Sequence, residues 1–410
     1  MAHQKTLLAT AIVCAMASGP VLAQTDAQEL EQLKRQLGTL LERVNQLETK
    51  TQNAEVRAQA AEQKAEAMSA SRAPTGVSSG NDKIRVSVSG HVNRALLVVD
   101  DGEETELYHV DNGSSSTRLR VIGEGDVSPE LTVGTAIEVQ LESNSSFNVS
   151  QDNESVSGDS ISDRRLEVYF DHDRFGKLWM GKGWTASEDS SEMDLSGTAL
   201  VGYSSTADIA GGIKFRNDAG NLSMTRVGDV FTNLDGLGRK NRLRYDTPAV
   251  AGVKLAASAV EDSAWDTALT YSADYAPGTL AAAVAYSDQE SNDGQVNGSA
   301  SFLHNSGVSL TMAAGERDSG DLDPNFVYGK LGYQNRWFDA GKTAFSADYH
   351  VANHAQTRSD KAKSVGVQMV QNIDDWATEL YVGYRNYDLE RAGENLDEVD
   401  AVIAGARIKF

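Results

Sequence analysis

The sequence predicts an all-β transmembrane barrel, antiparallel and closed, of 16–18 strands with eighteen as the best count, preceded by an α-helical coiled-coil stalk. Three observations lead there. From Lys83 to Phe410 the chain is a succession of segments of roughly ten residues in which apolar and polar side chains alternate. After the N-terminal leader, no stretch approaches the ~18 consecutive apolar residues of a membrane-spanning helix. Any crossing therefore falls to strands, because only helices and closed barrels satisfy every backbone group in lipid. Third, Leu30 to Met68 holds an unbroken heptad register.

Residues 1–23 read as a secretory signal peptide. Lys5 supplies the basic start, Leu7 to Ala17 the apolar stretch, and Val21-Leu22-Ala23 the small-residue ending, so the mature chain is expected to start near Gln24. The single cysteine, Cys14, lies inside the apolar stretch. A mature chain without cysteine gives no sign of disulfides, metal thiolates or a cysteine nucleophile.

Residues 24–68 are expected to form a periplasmic coiled coil. One seam holds Leu30, Leu37, Val44, Thr51, Ala58 and Ala65, and the other Leu33, Leu40, Leu47, Ala54, Ala61 and Met68. The 3-4-3-4 spacing puts both seams on one narrow stripe of a helix about 60 Å long. Such a stripe needs a partner; self-association suits it, although a single helix packing back on its own domain would also bury it. The Leu and Val of the first half (Leu30, Leu33, Leu37, Leu40, Val44 and Leu47) should hold most of the stability. Residues 69–82, rich in Ser and Gly with Pro74, read as a flexible linker.

The barrel is expected to fill 83–410. In the first strand Val86, Val88, Gly90 and Val92 share one face, opposite Arg85, Ser87, Ser89, His91 and Asn93. Further on, Leu243 and Tyr245 oppose Arg242, Arg244 and Asp246, and Leu380, Val382 and Tyr384 oppose Glu379, Tyr381 and Arg385. In the last strand Val402, Ala404, Ala406, Ile408 and Phe410 oppose Ile403, Gly405, Arg407 and Lys409. Short turns are predicted near Asp126 to Pro129, His172 to Arg174, Asn217 to Gly220, Pro248 to Gly252, Ala276 to Gly278 and Asn305 to Gly307. Longer polar loops are predicted at Asp100 to Ser116, Ser143 to Asp163, Trp184 to Ser205 and Asp388 to Glu398. An even strand number puts both barrel ends on the side of the stalk. A barrel this wide should enclose an aqueous lumen. Tyr108, Tyr169, Tyr203, Trp265, Tyr333, Trp337, Tyr349, Trp376 and Tyr387 are candidates for aromatic girdles, with some lining the lumen instead.

Certain residues carry a family likeness: Ser89-Gly90-His91-Val92-Asn93-Arg94, Arg118-Leu119-Arg120, Phe175-Gly176-Lys177-Leu178, Arg244-Tyr245-Asp246-Thr247-Pro248 and Ala404-Gly405-Ala406-Arg407-Ile408-Lys409-Phe410. Through these the chain resembles the trimeric Gram-negative outer-membrane porins over 83–410. The resemblance implies a homotrimer of water-filled channels for passive diffusion of small hydrophilic solutes and ions. It also implies an outer-membrane location with the stalk in the periplasm, contact with lipopolysaccharide, and a terminal strand whose Phe410 is read by the barrel assembly machinery. General porins of this kind usually lack a stalk and have sixteen strands. The extension is similar to that of certain sugar- and dicarboxylate-specific trimeric porins, which keeps open a substrate-selective channel for dicarboxylates, other anions or sugars. A tether from the outer membrane to peptidoglycan through the coiled coil is a further alternative.

The resemblance implies a third loop, about 184–205, folded into the barrel. Its carboxylates Glu188, Asp189, Glu192 and Asp194 would then face a basic wall of Arg118 and Arg120 on the second strand with Arg242 and Arg244 on the eighth. Opposed charges across a narrow pore create a transverse field. The alternative is a solvated external loop, with the arginines paired to Glu138, Glu142 or Glu167 on neighbouring strands.

Arg and Lys number 37 against 59 Asp and Glu, for a net charge of −22. That balance excludes a nucleic-acid partner. Much of the excess sits in predicted external loops, at Asp100, Asp101, Glu103, Glu104, Glu106, Asp152, Glu154, Asp159 and Asp163. There it serves solubility or holds structural divalent cations shared with lipopolysaccharide. No cofactor and no protein metal site are expected, and no enzyme: His91, His109, His172, His304, His350 and His354 are scattered without metal-binding or base–nucleophile spacing, and Gly181-x-Gly183 lacks the context of a phosphate loop.

Overall fold

A computed structural model describes Gly80 and residues 83–156, 161–289, 293–320 and 322–410. The predicted leader, coiled coil and most of the linker lie outside these residues. Strands β1 (Arg85–Asp100), β2 (Thr105–Asp111), β3 (Arg118–Ser128), β4 (Leu131–Gln140), β5 (Ser162–His172) and β6 (Gly176–Trp184) come first. A long third loop follows, containing the short strands β7 (Lys214–Arg216) and β8 (Leu222–Arg226) and the one α-helix among the described residues, α1 (Val227–Val230). The wall resumes with β9 (Arg239–Asp246), β10 (Val253–Val260), β11 (Trp265–Tyr275), β12 (Gly278–Gln289), β13 (Asp293–His304) and β14 (Val308–Arg317). It ends with β15 (Asn325–Phe338), β16 (Gly341–Asn353), β17 (Lys361–Ile373), β18 (Thr378–Glu390) and β19 (Val399–Lys409).

Seventeen strands form one antiparallel sheet that closes on itself through β1 and β19, from His91↔Lys409 to Asp100↔Asp400. β2 and β3 lie end to end on one side of β1, opposite Arg94–Asp100 and Arg85–His91 respectively, and so make a single wall strand. The barrel therefore has 17 − 1 = 16 wall strands. The expected eighteen is corrected by two. β7 and β8, joined by the turn predicted at Asn217 to Gly220, form a separate two-stranded sheet inside the third loop, and Arg216 O also accepts from Asp397 N–H at 2.9 Å just before β19. That hairpin alternates like wall strands but never meets the barrel ladder. The predicted first loop is corrected too, since most of Asp100 to Ser116 is strand β2 and its break before β3.

The break is built by side chains. Asn112 accepts from Ser114 N–H to start a short 3₁₀ turn over Gly113–Ser115, and its amide donates to Leu200 O at 2.9 Å. Asn93 donates through its backbone N–H to Thr117 Oγ1 at 3.0 Å and through its amide to Ser115 O at 2.8 Å. These bonds replace the missing ladder, as buried backbone groups require.

The predicted alternation is realised. Leu96, Val98, Leu243, Tyr245, Leu380, Val382 and Val402 are exposed on the outer face, where lipid would cover them, while Leu97, Val99, Arg242, Asp246, Tyr381, Arg385 and Ile403 are buried inside. Strand parity decides which aromatics reach lipid. Trp265, Tyr333, Trp337, Tyr349 and Trp376 face outward, and Tyr333, Trp337 and Phe345 form a ring cluster with successive centroids 5.6 Å apart. Tyr108, Tyr169 and Tyr387 turn inward instead.

The seam depends on Gly90. Its N–H donates to Phe410 O at 2.9 Å and its carbonyl accepts from Phe410 N–H at 3.0 Å. A Cβ at Gly90 would sit 2.5 Å from Arg118 O and 2.8 Å from the Phe410 ring. We expect Gly90→Val to weaken closure by about 1–3 kcal/mol. Cold gel electrophoresis of the refolded protein should show the folded band lost at a lower temperature than in the wild type.

Candidate functional site

The third loop runs from the end of β6 to the start of β9, residues 185–238, well past the predicted 205, and it leaves the fifth wall strand as expected. β9 is thus the sixth wall strand and not the eighth, which relocates Arg242 and Arg244 beside β6. The loop folds into the barrel and docks along the inner wall. Ala186 N–H donates to Ser258 Oγ at 2.7 Å, Ser187 Oγ to Asp266 Oδ2 at 2.5 Å, Met193 N–H to Ser299 Oγ at 2.9 Å and Leu195 N–H to Ser301 Oγ at 2.8 Å. Wall hydroxyls and carboxylates thus satisfy loop backbone that has no ladder of its own.

Farther along, the docking becomes dry. Ile209, Ile213, Phe215, Val227, Val230, Phe231 and Leu234 of the loop join one buried cluster with Leu97, Val99, Tyr108, Val110, Phe326, Tyr328, Tyr387, Leu389, Val399 and Ile403 of the wall. The interior is therefore partly filled by the third loop. His350 is fully buried here, its Nδ1 2.9 Å from Thr206 Oγ1 and its ring 5.6 Å from Phe326 and 5.8 Å from Phe231. Two ion pairs are buried at the same interface. Lys330 Nζ donates to Asp194 Oδ2 at 2.7 Å and to Gly202 O at 2.5 Å, and Arg385 grips Asp348 through two bonds of 2.8 Å.

Opposite the loop, β3, β4, β5, β6 and β9 present a basic wall. Arg118 and Arg120 from β3 and Arg164 from β5 converge on the buried carboxylate of Glu138 on β4, at 3.7, 2.5 and 2.8 Å. Arg164 is available because the β4–β5 register slips between Glu138 and Val139, leaving an extra residue on β5. Glu167 takes Arg165 Nε and Arg242 Nη2, each at 2.5 Å. Gly183 makes room for that pair, since a Cβ there would meet Glu167 Oε2 at 2.3 Å and Arg242 Nη2 at 2.9 Å. Arg244 binds Asp246 at 2.8 Å and donates to Thr185 O at 2.7 Å, which fastens the loop's first residues to the wall.

The acids of the loop divide. Glu188 lies 3.3 Å from Arg239 Nη2. Burial pushes its carboxyl up to about 7, against the pull of Arg239. Burial also raises Asp189, while Arg239, Arg244, Arg164 and Arg118 lower it, so this carboxylate stands before the basic wall. Asp235 accepts from Asp189 N–H at 2.7 Å and Ser191 N–H at 2.8 Å and is pushed by burial up to about 6. One oxygen each from Glu188, Asp189 and Asp235 falls within 4.8 Å of the others, close enough for a hard cation. Glu192 turns into the loop toward Asn233 at 2.8 Å and is raised by burial, and Asp194 points away to Lys330.

Of the predicted residues, Glu188 pairs with Arg239, Asp189 is under the influence of Arg244 and Arg118, and Arg120 and Arg242 belong to the same wall. Glu192 and Asp194 serve the loop's own docking. Arg164, Arg165, Arg239 and Asp235 complete the charge arrangement without having been predicted. Adjacent arginines inside an alternating strand, as at Arg164-Arg165, were the available signal.

The profile of the Gram-negative porin family matches residues 9–392. The chain belongs to the Gram-negative porin family. The porin shares its fold with solved outer-membrane proteins. The anion-selective porin from Comamonas acidovorans is 17% identical, with a TM-score of 0.54 over 80% of this chain and 100% of that one. In-vitro folded OmpT of Vibrio cholerae is 14% identical, at 0.54 over 80% and 98%. The outer-membrane channel DcaP of Acinetobacter baumannii is 14% identical, at 0.52 over 82% and 99%. No curated protein sequence matches. The porin is thus an outer-membrane channel and not an enzyme.

Removing one member of a buried ion pair strands the other, at about 3–5 kcal/mol. Lys330→Met should therefore loosen the third loop, lowering the unfolding temperature and making single-channel currents larger and noisier. Lys330→Met combined with Asp194→Leu should recover most of both.

Proposed function

We propose that the porin is a diffusion channel for small hydrophilic solutes that favours anions at the constriction between its third loop and its β3–β6 and β9 wall. The observation that carries this is a surplus of guanidinium groups. Arg118, Arg120, Arg164, Arg165 and Arg242 share only Glu138 and Glu167. The opposing loop acids compensate weakly, because burial holds Glu188 and Asp235 in the range where they are partly protonated at neutral pH. A permeating anion meets net positive charge in a narrow space, where electrostatic attraction exceeds its value in bulk water. The Comamonas porin, which has the same fold, is described as anion-selective. Glu188, Asp189, Arg118, Arg120 and Arg244 are the pore-facing charges of this reading, joined by Arg164 and Asp235, with Arg242 buried behind them against Glu167.

The heptads of 30–68 support self-association through a periplasmic coiled coil, and a homotrimer would match the porin family. The pairing of Phe410 with Gly90 supports the terminal strand as the closing element of assembly.

The deciding measurement is the reversal potential of the refolded porin in a planar bilayer under a KCl gradient. A chloride-favouring sign supports the reading, and a potassium-favouring sign rejects it. Glu138→Gln should raise the chloride-to-potassium permeability ratio and Arg120→Gln should lower it. The change is about 1 kcal/mol, roughly fivefold, per unit charge. Protonation neutralises a carboxylate, so lowering the pH from 8 to 5, through about 7 for Glu188 and about 6 for Asp235, removes negative charge. Anion preference should rise across that interval, and a flat or falling ratio would reject these two acids as pore charges.

A further inference from the structure

Beside the guanidinium cluster, β5 and β6 carry a line of alternating rings and cations that charge balance alone does not call for. The Tyr169 and Trp179 rings lie 4.8 Å apart, centroid to centroid. Lys177 Nζ is 3.9 Å from the Tyr169 centroid and 4.2 Å from that of Trp179. Next, the Arg165 guanidinium is 5.6 Å from the Trp179 ring and 5.4 Å from the Trp184 ring, and the Arg239 guanidinium also lies 5.4 Å from the Trp184 ring. Leu166, Val168, Phe170, Leu178 and Met180 occupy the outward positions of these two strands, so Tyr169 and Trp179 belong to the inner face. The line leads from the short turn before β6 to Arg239, which holds Glu188 at the constriction.

A wall meant only to pass hydrated ions gains nothing from indole rings, which hydrate poorly. Rings do attract other rings, by about 0.5–1.5 kcal/mol beyond simple burial. Cations over ring faces attract a carboxylate while leaving ring edges and neighbouring faces for stacking. Conduction further requires several weak sites in sequence, each bound well enough to enter and poorly enough to leave. The series Lys177, Trp179, Arg165, Trp184, Arg239 has that form. Trp184 offers its ring between the Arg165 and Arg239 guanidinium groups.

We propose that the β5–β6 wall is a track for aromatic carboxylates, with the carboxylate passing between Lys177, Arg165 and Arg239 while the ring stacks against Trp179 and then Trp184. The track rests on the anion-favouring reading above and narrows it to a solute class.

The test uses full-length porin in planar bilayers, with chloride current recorded while benzoate, cyclohexanecarboxylate or benzylammonium is added. Benzoate should halve the current at a concentration roughly three- to tenfold below cyclohexanecarboxylate, the factor that ring stacking supplies. Benzylammonium should block more weakly than either. Trp179→Leu and Trp184→Leu should each shrink the benzoate advantage, and Trp184→Phe should keep it. Equal block by benzoate and cyclohexanecarboxylate overturns the track. So does a benzylammonium block as strong as that of benzoate. The reversal potential, measured in the same bilayers, separates the two failures. If it still favours chloride, the track alone falls; if it favours potassium, the anion reading falls with it. The wild-type comparison of solutes decides even where a variant does not refold.

Discussion

Lipid offers no hydrogen-bond partner, and that constraint shapes the whole molecule. Every strand must be paired on both sides, so β1 has to meet β19, and the sheet closes with sixteen wall strands. Closure at that number makes the interior too wide for wall side chains to fill. The third loop is the consequence: the space left by closure is occupied by chain leaving the fifth wall strand. Even the seam reflects the constraint, because the last ladder bonds fit only where Gly90 has no side chain.

The loop divides the interior into two chemistries. Against β1, β2, β15, β18 and β19 it packs a dry core like that of a soluble domain, with Phe231, Tyr387 and His350 at its centre. Here burial supplies the stability, while the Lys330–Asp194 pair, which joins wall to loop, supplies placement. A buried ion pair adds little net stability against a well-packed apolar alternative, but any docking that parts its members is strongly disfavoured. The loop is thereby held in one position, and the opposite wall is left facing its acids. The basic cluster is the remainder of the cross-section, the part that the dry core does not reach.

Some of this was legible in the sequence and some was not. Alternation at Leu243 to Asp246 or Val402 to Lys409 gives strand, face and barrel together, because a period of two has one geometric meaning next to lipid. The same rule misled at 214–226. β7 and β8 alternate around a polar turn as any hairpin does, and nothing local says that their partner is each other and not the wall. Loop acids were legible as a group but not individually. Whether a carboxylate faces Arg239 or Lys330 depends on contacts far away in the chain, 136 residues for Asp194 with Lys330. The paired roles of Glu138 and Glu167 were legible only as an alternative to a charged constriction. In the structure the two readings coexist, since these acids neutralise some of the arginines and leave the rest in excess.

That excess bears on a contradiction in the overall charge. A chain with a net charge of −22 would repel the anions that the proposed constriction favours. Charge counted over the whole chain, however, acts only within a screening length of ~8 Å at physiological ionic strength. Outer-loop acids are further spent on local partners, as Asp101 is on Arg216 at 2.8 Å and Asp360 on Arg391 at 2.7 Å. Arg391 and neighbouring groups hold Asp360 down at about 2, so that carboxylate stays ionised and paired. In the proposed reading, the local imbalance of guanidinium over carboxylate, and not the composition of the chain, sets the sign of the field that a solute crosses.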